Sequence, residues 1–252
     1  MKAPGDGKSF RLQFHFHGDL PFFVRPTRGA NGVVRQLQEK TSVKDAIEAC
    51  GVPHPEIDLI LRNDAPVSFR DCVASDAKID VYPVTTNADL FPNARLQRRN
   101  IHRFVADGHL GKLTRDLRLL GLDVAYLPIA SDAELVAVSV AENRALLTRD
   151  RLLLMRTAVT SGYYPRSQRA EEQTREVIVR FDLGAIIAPF TRCLRCNGFL
   201  AAVSKSDVLG KLEPLTKIYY ENFRRCRQCG QIYWSGSHFE KLQKRIERLL
   251  GD

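Results

Sequence analysis

Two Cys-x-x-Cys pairs, Cys193-Leu-Arg-Cys196 and Cys226-Arg-Gln-Cys229, carry the plainest chemistry in the sequence. A tight turn over each pair points two thiolates at one centre, and two such turns make the tetrahedral S4 set that Zn²⁺ prefers. The spacing within each pair is that of paired-cysteine zinc sites, with a somewhat longer central segment. Two disulfides, free thiols or iron–sulfur ligation are the alternatives, and disulfides need an oxidising compartment. Four thiolates leave no open position for water, so a zinc ion held by them is structural. Cys50 and Cys72 lie in apolar stretches and read as ordinary buried residues.

A second set is acidic: Asp107, Asp132 and Asp150. Phe104-Val-Ala106 reads as a short strand ending at Asp107, and 111–120 as a helix with Leu113, Leu117 and Leu120 on one face. Val124–Leu127 is a second predicted strand. Ser131-Asp-Ala-Glu134 opens a second helix as a capping box, and Arg144–Thr148 is a third strand running into Arg149-Asp150-Arg151. This βαβαβ order predicts a parallel sheet covered by helices. Ligands collect beyond the carboxyl ends of such strands, where Asp107 and Asp150 fall and Asp132 is within reach. Carboxylates converging there favour a hard cation, Mg²⁺ or Mn²⁺, able to activate water against a phosphodiester. Each aspartate also has a local use: Asp107 in a turn, Asp132 and Asp150 as helix caps.

Charge separates the chain in two. Residues 1–84 balance their acids and bases, so the whole formal net charge of +9 lies after residue 84. That asymmetry predicts that the second part meets a polyanion, or else keeps a basic surface for solubility. Arg149 and Arg151 flank Asp150 and suit phosphate oxygens; a solvated helix start is the plain alternative. Lys112, Arg115, Arg224 and Arg225 are further candidates for contact with a phosphate backbone. Tyr219, Tyr220, Tyr233 and Trp234 can stack on bases or simply pack around a metal module. Residues 239–250 read as an amphipathic helix with Leu242, Ile246 and Leu249 inward. No apolar run is long enough to span a membrane, and no apolar signal segment follows the amino terminus, so a cytoplasmic location is expected.

The first part alternates Phe10, Leu12, Phe14, Phe16 as a half-buried strand, and Leu20–Val24 reads as a return to extended structure. A helix opens at Thr41-Ser42-Val43-Lys44-Asp45 and ends by Gly51; strands follow at Leu59–Leu61 and Lys78–Tyr82. This order predicts a small α+β grasp fold. Ser42-Val-Lys-Asp-Ala-Ile-Glu48 and Lys78-Ile-Asp-Val-Tyr-Pro83 resemble the ubiquitin-like domains of the sulfur-carrier class. That class ends in Gly-Gly, whereas Tyr82-Pro83-Val84 continues here into Thr85-Thr86-Asn87-Ala88, so docking of a protein partner is the expected role.

Phe104-Val-Ala-Asp107, Gly111–Asp123, Leu146-Leu-Thr-Arg-Asp-Arg-Leu-Leu-Leu154, the cysteine pairs and Ile232–Phe239 together resemble one family. It is the PIN-like RNase domain first described at the C-terminus of the mutator-seven exonuclease (Mut7-C type), which carries a zinc ribbon and in several members a ubiquitin-like domain. The resemblance implies metal-dependent cleavage of RNA, with Asp107 as the first-strand acid, Asp132 as an acid opening a later helix and Asp150 as the acid of a Thr-x-Asp motif. A further acid of such nucleases falls on Asp116 or Glu134. The expected organisation is a β-grasp domain (1–84), a linker (85–100), an α/β PIN-like domain (101–189) and a zinc ribbon with terminal helix (190–252). The expected function is a Mg- or Mn-dependent endoribonuclease; the alternative is a non-catalytic protein that binds tRNA or rRNA.

Overall fold

The computed structural model describes residues 9–24, 32–84 and 91–251, with the side chains of Ser237 and His238 outside that description. Thr85–Ala88, where the carrier-class ending is replaced, therefore lie outside the described residues. Contacts divide the chain into two units: residues 1–99 with Asp150–Tyr164, and Asn100–Arg149 with Pro165–Asp252.

In the first unit, β1 (Phe10–Phe16) buries Phe10, Leu12 and Phe14 and exposes Arg11 and Gln13, as a period of two requires. It pairs antiparallel with β2 (Val33–Leu37). After the two-residue β3 (Thr41–Ser42), helix α1 (Val43–Glu48) is capped by Ser42 Oγ, which accepts from the Asp45 N–H at 3.0 Å. Strand β4 (Ile57–Arg62) is buried from Ile57 to Leu61 and pairs antiparallel with β5 (Ala65–Pro66). The short β6 (Cys72–Val73) pairs with β3. Strand β7 (Ala77–Pro83) lies between β1, to which it is parallel, and β4, to which it is antiparallel. The sheet order is β2-β1-β7-β4-β5, a β-grasp arrangement with α1 turning its buried Val43, Ala46 and Ile47 inward.

Two expectations change here. Leu20–Phe23 is a 3₁₀ helix, not extended: Pro21 suits its first turn, and the i, i+3 spacing buries Leu20 and Phe23 together. Cys50 is only half-buried, its thiol donating to the Ala46 carbonyl at 3.5 Å, and Cys72 is exposed because its neighbour Val73 takes the inward position on β6.

Residues 91–99 are held on β4. The buried Asp58 accepts from Arg95 at 3.2 Å, Arg99 at 2.9 Å and the Gln97 N–H at 3.0 Å. The segment Asp150–Tyr164 also packs in this unit. Buried His54 faces the Glu48 carboxylate through Nδ1 and the Val159 carbonyl through Nε2, each at 2.7 Å, and the Tyr164 N–H donates to Glu56 at 2.7 Å.

The second unit holds the parallel sheet. Strands β8 (Arg103–Ala106), β9 (Asp123–Tyr126) and β10 (Ala145–Leu147) lie in the order β10-β8-β9. Helix α2 (Gly111–Leu119) joins β8 to β9, and α3 (Asp132–Ala141) joins β9 to β10. Phe104, Val105, Leu113, Leu117, Val124 and Leu146 are fully buried, so the apolar periodicity maps onto one core. Gly121 closes α2 in the left-handed region (φ 85°), and any Cβ there would strike the Ala188 carbonyl.

Further along the chain, α4 (Arg151–Leu154) and β11 (Gly162–Tyr163) belong to the first unit, and α5 (Ala170–Phe181) packs against α2 in the second. The ribbon is antiparallel, β12 (Leu200–Val203), β13 (Phe223–Cys226) and β14 (Ile232–Trp234), with β13 central. Two short helices, α6 (Lys205–Val208) and α7 (Pro214–Tyr219), fill the long connection from β12 to β13. The terminal α8 (Ser237–Leu250) buries Ile246 and Leu249 and packs against α5. Among the described residues no helix is long and apolar enough to cross a membrane.

Candidate functional site

Asp107 directly follows β8, and its N–H donates to the Leu147 carbonyl at the end of β10 at 3.0 Å. Its Oδ2 accepts from Thr148 Oγ1 at 2.7 Å, while among the described residues Oδ1 takes only a long 3.4 Å contact from the His109 N–H. The carboxylate is half-buried at the sheet's carboxyl edge, with Oδ1 lone pairs to spare. The loop after it is fixed by Tyr126, whose hydroxyl donates to the Gly108 carbonyl at 2.8 Å. Gly108 is needed because a Cβ there would sit 2.6 Å from the Pro128 carbonyl oxygen.

Asp132 is exposed at the first position of α3, on the same edge, in the turn capped by Ser131. Asp150 is exposed at the N-cap of α4, where Oδ1 accepts from Leu152 and Leu153 N–H groups at 2.8 and 3.2 Å. Asp107 and Asp132 thus share a unit and a sheet edge, whereas Asp150 falls in the other unit.

The two acids considered for a further position are already engaged. Asp116 is buried and takes two bonds from Arg245, with the closer pair at 2.5 Å, while Arg245 also holds Glu171 at 2.7 Å. Glu134 completes the capping box: Oε2 accepts from the Ser131 N–H at 2.8 Å. Those bonds hold its carboxyl below the usual range.

The basic candidates divide in the same way. Lys112, Arg115 and Arg225 are exposed. Arg149 donates to Gln168 at 2.5 Å, Arg151 to the Phe23 carbonyl at 2.9 Å, and Arg224 to the Phe190 carbonyl at 2.9 Å.

The four cysteine sulfurs lie within 4.8 Å of one another, and among the described residues they alone form a group of three or more potential metal ligands. Cys193–Cys229 and Cys196–Cys226 sulfur separations are 3.6 and 3.4 Å. A tetrahedral ion with Zn–S bonds of about 2.3 Å sets its sulfurs about 3.8 Å apart, so the cluster fits such an ion with little movement.

The two turns share one geometry. The N–H of Asn197 returns to the Cys193 carbonyl at 2.9 Å and that of Gly230 to the Cys226 carbonyl at 3.1 Å. Both residues have φ of 72°, the left-handed region that glycine and asparagine tolerate. Burial works against a charged Cys226, but the N–H groups of Cys229 and Gln228 aim at its sulfur and bring its pKa down to about 7. Tyr233 is tied to the cysteine turn: its hydroxyl shares a hydrogen bond with Cys193 Sγ and accepts from the Leu194 N–H, each at 3.1 Å.

Sequence reading missed what fastens the first cysteine turn to the sheet. Arg118 on α2, 5% exposed, donates to the Val124 carbonyl through Nε (3.0 Å) and to the Leu194 and Arg195 carbonyls through Nη1 (3.3 and 3.0 Å). Asp123 accepts from Arg144 at 2.6 Å, Asn197 at 2.8 Å and Arg192 at 3.3 Å, and Asn197 Oδ1 accepts from the Val124 N–H at 3.1 Å. Burial opposes the Asp123 charge, yet Arg144 and Asn197 outweigh it and hold the carboxyl below its usual range. No local signal marked it: Arg118 lies off the Leu113, Leu117, Leu120 face of α2, where a charged residue is ordinary, and only its partners in the cysteine turn show its role.

The architecture is thus a β-grasp domain and a helix-covered parallel sheet joined to a four-cysteine ribbon. Residues 102–246 match the model of the Mut7-C RNAse domain, and residues 10–89 that of the Mut7-C ubiquitin domain. The chain belongs to the Mut7-C RNAse domain family, with the family's ubiquitin-like domain before it. No curated protein matches the chain. Among solved structures, SAMP1 from Haloferax volcanii is similar at 16% identity over 31% of this chain and 98% of its own, with a TM-score of 0.25.

Proposed function

We propose that this protein is a cytoplasmic endoribonuclease in which Asp107, Asp132 and Asp150 hold one or two Mg²⁺ or Mn²⁺ ions. The observation that carries the reading is the Asp107 carboxylate, fixed by Thr148 at the carboxyl edge of a parallel sheet inside a Mut7-C RNAse domain. Hard carboxylate oxygens are donors suited to such a cation. When bound, the cation would lower the pKa of an attacking water and offset charge on the scissile phosphate. Lys112, Arg115, Arg149, Arg151, Arg224 and Arg225 would neutralise the RNA backbone. The cysteine cluster would hold one structural Zn²⁺. The β-grasp domain would dock a protein partner.

Incubation of the pure protein with single-stranded and structured RNAs plus Mn²⁺ tests the assignment. Cleavage that depends on Mn²⁺ and is lost in Asp107→Asn supports it; cleavage unchanged in both Asp107→Asn and Asp150→Asn overturns it. One observation favours a second reading, a non-cleaving binder of tRNA or rRNA: Asp116 and Glu134 are both committed to structural bonds, which leaves neither free as a further acid. That reading expects tight, salt-sensitive RNA binding unaffected by the aspartate substitutions.

A further inference from the structure

The ribbon carries an aromatic groove of about 990 Å³ within the second unit. Helix α7 forms one side in an unusual way. Leu215, Ile218 and Tyr219, at i, i+3 and i+4, make one apolar face, yet they are 67%, 68% and 72% exposed. An amphipathic helix ordinarily buries that face, but here Thr216 is the buried residue.

Opposite lies β14, where Trp234, the single tryptophan of the chain, is 38% exposed. Its Nε1 makes no hydrogen bond among the described residues. The polar edges of Trp234 and Tyr220 meet above Gly236, where a Cβ would stand 2.9 Å from Trp234 Nε1 and 3.3 Å from the Tyr220 hydroxyl. The absence of a side chain at Gly236 is what leaves both edges room.

The charges lining the groove are Arg115, Arg224 and Glu221, and Glu221 is neutralised by Lys205 at 2.5 Å. Arg115 has no ion pair or hydrogen bond among the described residues. Flat aromatic faces beside net positive charge are complementary to unpaired nucleobases on an anionic backbone. A duplex, with its bases stacked inside, offers these rings nothing. A protein partner would meet the apolar face equally well but would leave the two arginines without phosphates.

We propose that this groove binds an unpaired stretch of RNA, with bases stacking on Tyr219 and Trp234 and phosphates meeting Arg115 and Arg224. The inference rests on the reading that RNA is the ligand and adds where single-stranded RNA is held, at a surface separate from the acidic edge.

Trp234 is its own reporter. The zinc-loaded full-length protein in an Asp107→Asn background, which removes cleavage, is titrated with oligoadenylate of about ten nucleotides and with a blunt RNA duplex, following tryptophan emission and the anisotropy of labelled RNA. The expected result is quenching by oligoadenylate and none by duplex. Tyr219→Ala, at an exposed position, should weaken oligoadenylate binding by roughly 5- to 100-fold and leave duplex binding unchanged. RNA binding with no change in Trp234 emission and no effect of Tyr219→Ala overturns the groove while the nuclease reading stands. Quenching retained in a protein whose unsubstituted form never cuts RNA overturns the nuclease reading alone. Absence of RNA binding at low salt overturns both. Self-association abolished by Tyr219→Ala would assign the groove to a second copy and overturn the groove alone.

Discussion

Thr148 Oγ1 donates a 2.7 Å hydrogen bond to Asp107 Oδ2, tying the residue after β10 to the residue after β8. Thr148 is fully buried, so the bond orients the carboxylate from the protein side and leaves Oδ1 turned to other partners. Thr148→Val keeps the shape and removes the donor. If Asp107 works at a metal, single-turnover cleavage with Mn²⁺ should fall about tenfold, the scale of one hydrogen bond to a charged group, while thermal unfolding changes little. An unaltered rate would show that the bond orients nothing the reaction uses.

Asp116 should behave in the opposite way. Its two bonds from Arg245 make it a structural carboxylate joining α2 to α8. Removing one partner of a buried pair costs about 3 kcal/mol. Arg245→Met is therefore expected to destabilise the fold by roughly that amount in urea unfolding, and Asp116→Asn to leave Mn²⁺-dependent cleavage intact. Loss of cleavage in folded Asp116→Asn would return Asp116 to the reacting centre.

The Asp123 network predicts a pH effect with a definite sign. Its folded pKa lies below its unfolded value, so its stabilisation is present above pH ~4 and lost as pH falls through the folded pKa. The stability gap between the native protein and Asp123→Asn should be full at pH 6 to 7, ~2 kcal/mol by comparison with other hydrogen-bonded charge networks, and should shrink on acidification below pH ~4. Denaturant unfolding across that range measures it. A gap independent of pH would mean that the carboxylate charge contributes nothing.

The cysteine cluster predicts one zinc per chain by metal analysis. Cys226→Ser removes a ligand and two N–H···S bonds together, and should abolish stoichiometric metal and lower the melting temperature of the ribbon. A metal-free protein with unchanged melting would refute the assignment.

Much of the fold was legible in the sequence because it is local. The alternation of Phe10, Leu12 and Phe14, the leucine face of α2 and the Ser131–Glu134 capping box each specify an element within a few residues. The order of those elements then allows few arrangements. Both cysteine turns were legible for the same reason, since two-residue spacing and a following Asn197 or Gly230 satisfy the turn locally. The extended reading of Leu20–Phe23 failed because i, i+3 burial in the tertiary core outweighed a pattern only four residues long.

Composition and spacing by themselves determined that this chain contains a β-grasp domain, a parallel sheet with acids at its carboxyl edge, and a four-thiolate cluster. Tertiary structure alone decided which charges are spent. Arg118, Asp123, Asp116 and Arg245 are ordinary surface residue types whose partners lie from a few to more than a hundred residues away in the chain. Burial makes each partner obligatory, because an unpaired charge or carbonyl inside the protein costs more than the pair. The same accounting leaves Tyr219 72% exposed and Trp234 38% exposed.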